Sequence, residues 1–163
     1  MKESTPLNQL IDYVVQVAGA LNYAHSRNIV HRDVKPTNIL IDGEWALLSD
    51  FGLVKLSESD KHLTSTGTSM GTPAYMAPEQ VVGKGVDRRS DIYALGIILH
   101  KVLTGTIPHD APTPIAIMHK RSHEPVPPLR QLKPDVPESL EHVVLRSLAS
   151  QPDDRYSTAI DFS

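Results

Sequence analysis

Residues 31–38 read His31-Arg32-Asp33-Val34-Lys35-Pro36-Thr37-Asn38, and the tripeptide Asp50-Phe51-Gly52 follows twelve positions later. The first stretch holds a carboxylate, an ammonium group and a carboxamide within six residues. Its proline excludes a continuous helix there, which predicts a rigid loop. Short apolar runs lie on both sides of this loop, residues 28–30 before it and residues 39–41 after it.

The segment between the loop and Asp50 is predicted to form a β-hairpin. Two apolar runs, residues 39–41 and 45–48, are separated by the turn signal Asp42-Gly43. The second strand would then return Asp50 to a position beside Asn38. Mg²⁺ prefers hard oxygen ligands, and when it already carries phosphate oxygens it needs only a few more from the protein. Asn38 and Asp50 are therefore candidate metal ligands.

The other polar groups of the loop suit phosphoryl transfer. Asp33 is a candidate proton acceptor, and Lys35 is a point charge fit for a phosphoryl oxygen. This reaction needs a metal ion, a positioned base and compensation of the charge on the migrating group. The residues alone therefore predict a phosphoryl-transfer site that uses Mg²⁺.

Three motifs in this order resemble protein kinases. The octapeptide resembles their catalytic loop, Asp50-Phe51-Gly52 their metal-binding tripeptide, and Ala77-Pro78-Glu79 the end of their activation segment. Lys35 and Thr72 further resemble the serine/threonine branch, and residues 71–80 are similar to its bacterial (Hanks-type) members. The resemblance implies ATP and Mg²⁺ as cofactors and serine or threonine hydroxyls of proteins as substrates.

The resemblance also implies roles for single residues. Asp33, Lys35 and Thr72 would be catalytic, with the Thr72 hydroxyl bridging the other two and shaping the site for its substrate. The side chains that hold nucleotide and metal would be Lys35, Asn38, Leu40 and Asp50. Leu40 would form the apolar floor under the adenine ring. It could also simply be a strand residue that faces the core, and both could be true.

Residues 53–76 lack periodicity and are rich in hydroxyl groups, which is typical of a functional loop. By resemblance this stretch is the activation segment. Arg32 would supply the positive charge that a phosphate on the segment needs, and Thr64 and Thr66 are the candidate phosphorylation sites. The alternative is that these hydroxyl groups only keep the loop solvated.

Four further residues are expected to support the site without taking part in the chemistry. His31 would be a buried spacer bonded to backbone near the metal-binding tripeptide. Glu79 would pair with Arg155, because an unpaired buried carboxylate is energetically expensive. Asp91 would bond the backbone of the catalytic loop.

Hydrophobic periodicity predicts two long helices. Residues 6–26 form an amphipathic pattern, with Thr5 as the expected N-cap. Residues 90–104 are apolar nearly all round and should be buried on most sides, capped by Ser90 or Asp91 and stopped by Gly105. Shorter helices are predicted at 113–122, at 137–149 and from 157 onward.

The predicted fold class is therefore mainly α (α+β), a protein-kinase C-terminal lobe with a small β-hairpin at the catalytic loop. At 163 residues with 40% apolar and 21% charged content, the chain should form one globular domain. Its net charge of −3 argues against a nucleic-acid partner. The chain has no 18-residue apolar run, no apolar signal core and no cysteine, so we expect a cytoplasmic protein without a membrane segment.

The sequence contains no glycine-rich phosphate loop, and it lacks the strand lysine and helix glutamate that complete an ATP clamp in kinases. We expect residues 1–163 to be a C-terminal lobe whose N-terminal lobe is absent and whose final helix is truncated. The isolated chain should then be inactive, and its exposed lobe face should favour self-association. The alternatives are a catalytically dead binding module and, less favoured, a small-molecule kinase.

Overall fold

The computed structural model describes residues 5–51, 73–83 and 85–163. Most of these residues are helical, and they include a two-stranded antiparallel sheet. The predicted fold class, mainly helical with a small hairpin after the loop, is confirmed. The elements in chain order are α1 (Leu7–His25), β1 (Ile39–Asp42), β2 (Trp45–Leu48), α2 (Pro78–Val82), α3 (Arg88–Thr104), α4 (Pro114–His123), α5 (Leu129–Leu132), α6 (Glu138–Ser147) and α7 (Ala159–Phe162).

Helix α1 buries one face, which includes Val14, Val17 and Leu21, against the core. This matches the predicted amphipathic pattern. Its predicted cap is wrong: Pro6, in an extended conformation, occupies the N-cap position, and no side chain caps the helix. The first turn closes through the backbone, because the amide of Leu10 donates to the carbonyl of Pro6 at 3.1 Å.

Helix α3 is the hydrophobic axis of the domain, and twelve of its seventeen residues are buried, as predicted. It begins two residues earlier than expected. Asp87 is the N-cap and accepts from the amide of Arg89 at 2.8 Å, so the prediction that Ser90 or Asp91 caps the helix is wrong. Both side chains are buried and bond to other elements. Gly105 ends the helix with a φ of 79°, as predicted.

The hairpin is confirmed, and its register pairs Leu40 with Leu47 and Asp42 with Trp45. The turn residues are Gly43 and Glu44, one position later than the sequence signal suggested. Leu40 is 55% exposed and Leu47 is 53% exposed, so the alternative in which Leu40 faces the core is wrong. The two leucines form an apolar pair on the open face of the sheet.

The shorter helices agree with the sequence pattern, apart from small shifts at their ends. Thr113 caps α4, and α6 lies inside its predicted range. Helix α7 starts at Ala159, with Thr158 as its cap, slightly later than expected. Helices α2 and α5 were not predicted, because one turn of helix is too short for a periodic signal. Within the described residues, no helix is both long and apolar enough to cross a membrane.

A tight crossing between α3 and α6 gives a stability prediction. A Cβ atom on Gly96 would overlap Ser147 Oγ and lie 2.9 Å from Ser147 Cβ. We expect Gly96→Ala to lower the free energy of unfolding by about 1–3 kcal/mol, since overpacking outweighs the better helix propensity of alanine. Urea denaturation would measure this.

Gly19 in α1 provides the matched control for Gly96. An added Cβ at Gly19 would have no neighbour within 4 Å. Gly19→Ala should therefore raise the free energy of unfolding by about 0.5–1 kcal/mol. If both substitutions stabilised the protein, α6 would have to move away from α3 at almost no energetic cost, contrary to the close packing described above.

Candidate active site

The loop that carries the candidate catalytic residues is hydrogen-bonded to one carboxylate of α3. Asp91, which is buried, accepts from the amide of His31 at 2.8 Å and from the amide of Arg32 at 2.7 Å. The ring of His25, at the end of α1, bonds the same carboxylate at 2.8 Å. Hydrogen bonds to an ionised group are stronger than neutral ones, so these contacts fix the loop firmly against two helices.

The backbone of Arg32 is held from two sides in an uncommon conformation. Its φ is 66°, in the left-handed region, and such residues persist only where the surroundings determine them. Besides the bond from its amide to Asp91, its carbonyl accepts from Gln80 Nε2 at 2.8 Å. Gln80 Oε1 in turn accepts from the amide of Ala77 at 3.0 Å. Helix α2 is thereby tied to the loop.

Sequence reasoning missed Gln80, because only half of the usual capping-box signature is present: Ala77, at the N-cap, has no side-chain oxygen. A glutamine three residues after a helix N-cap is the capping-box position, and Gln80 stands three residues after Ala77. The side chain of Arg32 is exposed. Its predicted phosphate-bearing partners, Thr64 and Thr66, lie outside the described residues, as does Thr72.

Two nitrogen donors converge on the carboxylate of Asp33. Lys35 Nζ donates to Asp33 Oδ2 at 2.7 Å, and Asn38 Nδ2 lies 3.3 Å from the same oxygen. Asn38 Nδ2 also donates to the Asp33 carbonyl at 2.8 Å. The Asp33 side chain stays 46% exposed. The carboxylate is thus oriented from one side and open to a substrate on the other.

Asp50 returns to the neighbourhood of Asn38 through the hairpin. The amide of Ser49 donates to the Asn38 carbonyl at 2.9 Å, and Ser49 Oγ lies 3.2 Å from Asp50 Oδ2. Asp50 is exposed and has a φ of 55°, a second left-handed residue beside the loop. Because the amide nitrogen of Asn38 is used by Asp33, its oxygen Oδ1 is the atom that remains for a ligand.

His31 is buried between the loop and the strand end. Its Nε2 bonds the Ser49 carbonyl at 2.9 Å, and its Nδ1 accepts from the amide of Asp33 at 3.3 Å. These two partners require the neutral tautomer that carries its proton on Nε2. The ring also packs against Phe51, with centroids 4.7 Å apart. His31 therefore has structural partners on both nitrogens and on its face.

The first turn of α2 is anchored by a buried ion pair. Arg155 donates from Nη1 to Glu79 Oε1 at 2.7 Å and from Nη2 to Glu79 Oε2 at 2.8 Å. Ser90 Oγ adds a third donor at 2.7 Å. Burial by itself would raise the pKa of Glu79, but the hydrogen bonds from Arg155 and Ser90 and the guanidinium charge outweigh it and lower the pKa.

A second buried arginine holds the segment immediately before α2 and was not predicted. Arg121, in α4, donates to the carbonyl of Met76 at 2.7 Å and to the carbonyl of Ala74. Burial lowers the pKa of its guanidinium. The sequence offers no signal for this contact, because its partners are backbone atoms 45 and 47 residues away.

Comparison with known proteins identifies the family of the chain. Residues 1–160 match the family model described as protein kinase domain. The chain is 44% identical over 151 residues to the DNA damage-responsive serine/threonine-protein kinase RqkA of Deinococcus radiodurans, covering 92% of this chain and 23% of that protein. It is 42% identical over 154 residues to the serine/threonine-protein kinase PknB of Mycolicibacterium smegmatis, covering 93% and 24%.

A probable serine/threonine-protein kinase of Clostridium acetobutylicum is 41% identical over 153 residues, which cover 93% of this chain and 23% of that relative. The chain thus spans about a quarter of the length of the curated relatives it matches. Protein kinases use ATP and a divalent metal ion. Because one family model covers nearly every residue, and the relatives share the same description, this chain belongs to the protein kinase domain family.

Proposed function

We propose that residues 1–163 supply the catalytic half of a serine/threonine protein kinase, which transfers the γ-phosphoryl group of ATP to protein hydroxyls. One observation carries this proposal: Lys35 and Asn38 orient the half-exposed carboxylate of Asp33. A carboxylate held in this way can align a substrate hydroxyl without reorganising during the reaction.

In this mechanism Asp33 would accept the proton of the substrate hydroxyl as the hydroxyl oxygen bonds to the γ-phosphorus of ATP. The bond from that phosphorus to the oxygen bridging the β-phosphate breaks, and ADP leaves. Lys35 lies beside it and would place its positive charge against the migrating phosphoryl group. Thr72 would bridge Asp33 and Lys35 and select serine or threonine. The anchors at Asp91 and Gln80 keep the loop in register while the substrate binds.

Asn38 Oδ1 and the carboxylate of Asp50 would hold Mg²⁺. Within residues 5–51, 73–83 and 85–163, no three His, Cys, Asp or Glu side chains cluster around a possible metal position. Two protein oxygens suffice for Mg²⁺, which usually keeps water and phosphate oxygens in its coordination sphere. Bound Mg²⁺ would neutralise charge on the phosphates, and the exposed Leu40 would offer apolar surface to the adenine ring.

The exposed apolar pair Leu40 and Leu47 supports a two-lobe arrangement. We assign this face to contact with an ATP-clamping lobe, whose glycine-rich loop and strand lysine do not occur in residues 1–163. Without that lobe the same face would favour self-association, because exposed apolar patches attract one another. The exposed Arg32 would bind a phosphate on Thr64 or Thr66 and so report the state of the activation segment.

The experiment compares two proteins in the presence of ATP, Mg²⁺ and mixed serine, threonine and tyrosine peptides. Residues 1–163 alone should transfer almost no phosphate, since alignment of the reactants can supply about 7–11 kcal/mol of the barrier. A fusion with the ATP-binding lobe of the Deinococcus relative should phosphorylate serine or threonine. A folded fusion that binds peptide without transferring phosphate would favour a dead binding module, and transfer to tyrosine alone would contradict the assigned specificity.

A further inference from the structure

Two histidines lie one helical turn apart near the end of α4, on a surface that the proposed reaction does not use. His119 and His123 are both exposed and four residues apart. Their rings are stacked, with centroids 4.4 Å apart and planes inclined by 19°. Residues four apart on a helix share one face, so the two imidazoles stand side by side at the surface.

The hydrogen bonding of His123 leaves one of its ring nitrogens able to bind a metal ion. Its Nδ1 bonds the carbonyl of His119 at 2.9 Å. A carbonyl oxygen can only accept, so the proton of the neutral ring lies on Nδ1 and the lone pair lies on Nε2. Histidines that bind metal are commonly oriented in this way, by a hydrogen bond from the other ring nitrogen to a backbone carbonyl. His123 is therefore already oriented as a ligand.

The separation of the two rings suits one shared metal ion. Zn²⁺ binds histidine nitrogens at about 2.0–2.1 Å in a tetrahedral arrangement, which places two ligand nitrogens about 3.3 Å apart. Rings whose centroids are 4.4 Å apart reach this separation through a small rotation of each ring. The same spacing of two histidines on one helix face holds zinc in metalloproteases.

The charges around the pair also favour a cation. The carbonyl end of a helix carries partial negative charge, and both histidines lie in the last two turns of α4. Two cationic neighbours are directed elsewhere. Lys120 Nζ donates to the carbonyl of Asp110 at 3.2 Å, and Arg121 donates to the carbonyl of Met76 at 2.7 Å. The exposed carboxylate of Glu124 follows the pair directly.

The ligand atoms decide which metal ion the pair can take. Imidazole nitrogen suits Zn²⁺, Cu²⁺ and Ni²⁺, whereas Mg²⁺ requires oxygen ligands. The pair is thus chemically distinct from the oxygen atoms of Asn38 and Asp50. In the part of the chain that the structure describes, no third His, Cys, Asp or Glu joins the pair around a possible metal position. Water would therefore complete the coordination.

We propose that His119 and His123 form a binding site for a late first-row transition metal ion such as Zn²⁺, with water in the remaining positions. The ion would fix the last two turns of α4. Arg121 lies in these turns and holds the carbonyls of Ala74 and Met76, so metal binding would also steady the segment before α2. The proposal does not depend on phosphoryl transfer.

Isothermal titration calorimetry of residues 1–163 with Zn²⁺ tests the site, in a buffer whose excess Mg²⁺ occupies sites made of oxygen atoms. We expect one Zn²⁺ ion per chain. His119→Ala and His123→Ala should each raise the Kd at least tenfold, because losing a residue that merely orients a metal ligand already costs about 10–100-fold. His142→Ala removes an exposed histidine of α6 and should leave the Kd unchanged.

Two further measurements separate loss of a ligand from loss of structure. Alanine favours helix, so all three variants should keep a urea midpoint close to that of the parent when no metal is present. Cu²⁺ should bind more tightly than Zn²⁺. The electron paramagnetic resonance spectrum of bound Cu²⁺ should show coupling to two imidazole nitrogens in the parent chain, and to one after His119→Ala or His123→Ala.

Four results would overturn the proposal. They are no binding heat at millimolar Zn²⁺, a Kd that either His119→Ala or His123→Ala leaves unchanged, an equal weakening by His142→Ala, and a stoichiometry of one Zn²⁺ ion per two chains. The last result would show that a second copy of the chain, and not water, completes the coordination.

Discussion

Asp33→Asn is expected to lower the rate of phosphoryl transfer by about 10²–10⁴, the usual contribution of a positioned general base. The substitution keeps the size of the side chain and one hydrogen-bond acceptor, while it removes the charge that accepts the proton. The measurement is kcat for a threonine peptide, made on residues 1–163 joined to an ATP-binding lobe. The KM for ATP should change little, because Asp33 contacts the hydroxyl and not the nucleotide in the proposed mechanism.

Asp135→Asn is the control for this loss of rate. Asp135 is an exposed carboxylate away from the loop, so its neutralisation should leave kcat within about twofold, as expected for a surface change with a free-energy effect below 0.5 kcal/mol. The free energy of unfolding of both variants should be close to that of the parent. A fall in kcat of less than tenfold for Asp33→Asn would show that Asp33 is not the general base.

The second large effect concerns stability. Arg155→Met should lower the free energy of unfolding by about 3–5 kcal/mol, because it leaves the Glu79 carboxylate buried without its cation. The side chain of Arg155 is 0% exposed and that of Glu79 is 9% exposed, so water cannot replace the lost partner. Urea denaturation of residues 1–163 measures the loss.

A surface pair supplies the matched control. Arg130 and Glu138 are both exposed and 3.9 Å apart. Arg130→Ala should therefore change the free energy of unfolding by no more than about 1 kcal/mol. Adding Glu79→Leu to Arg155→Met should recover much of the lost stability, since the unpaired charge is then gone. Equal losses for Arg155→Met and Arg130→Ala would contradict the burial argument.

The same pair gives a pH dependence with a defined sign. The pKa of Glu79 is lower in the folded state than in the unfolded chain, so the unfolded state binds more protons in acid. The contribution of Glu79 to stability is complete above its ordinary pKa of about 4.5 and is lost as the pH falls below that value. In Arg155→Met this part of the acid sensitivity should be absent when urea midpoints are compared at pH 7 and pH 4.

The sequence predicted those parts of the fold that depend on local pattern. The all-round apolar run of α3 and the two short apolar runs on either side of the hairpin turn are sufficient to predict these elements. The N-cap of α3 was placed too late, because Arg88 and Arg89 are polar and hide the first turn from a hydrophobic pattern. Thr5 was chosen as a cap by residue type, although Pro6 fills that position.

In the candidate site, too, the sequence predicted what depends on local structure and missed what depends on long-range packing. The return of Asp50 to Asn38 follows from a hairpin, which is a local structure, and the sequence predicted it. Gln80 and Arg121 contact the loop and the segment before α2 from 48 and 45 residues away. Contacts of this kind depend on how helices pack, and that packing cannot be predicted from the local patterns of a single sequence. The chemical roles of Asp33, Asn38 and Asp50 remain predictions that kinetics must test.

The three bonds to Asp91 also constrain the order in which the protein can fold. They join a single carboxylate to residues that precede it by 66, 60 and 59 positions. The loop therefore cannot take its native shape until α3 has docked against α1, and contacts between such distant residues form slowly. On heating, separation of α1 from α3 would disrupt the conformation of the catalytic loop while most of the secondary structure is still intact.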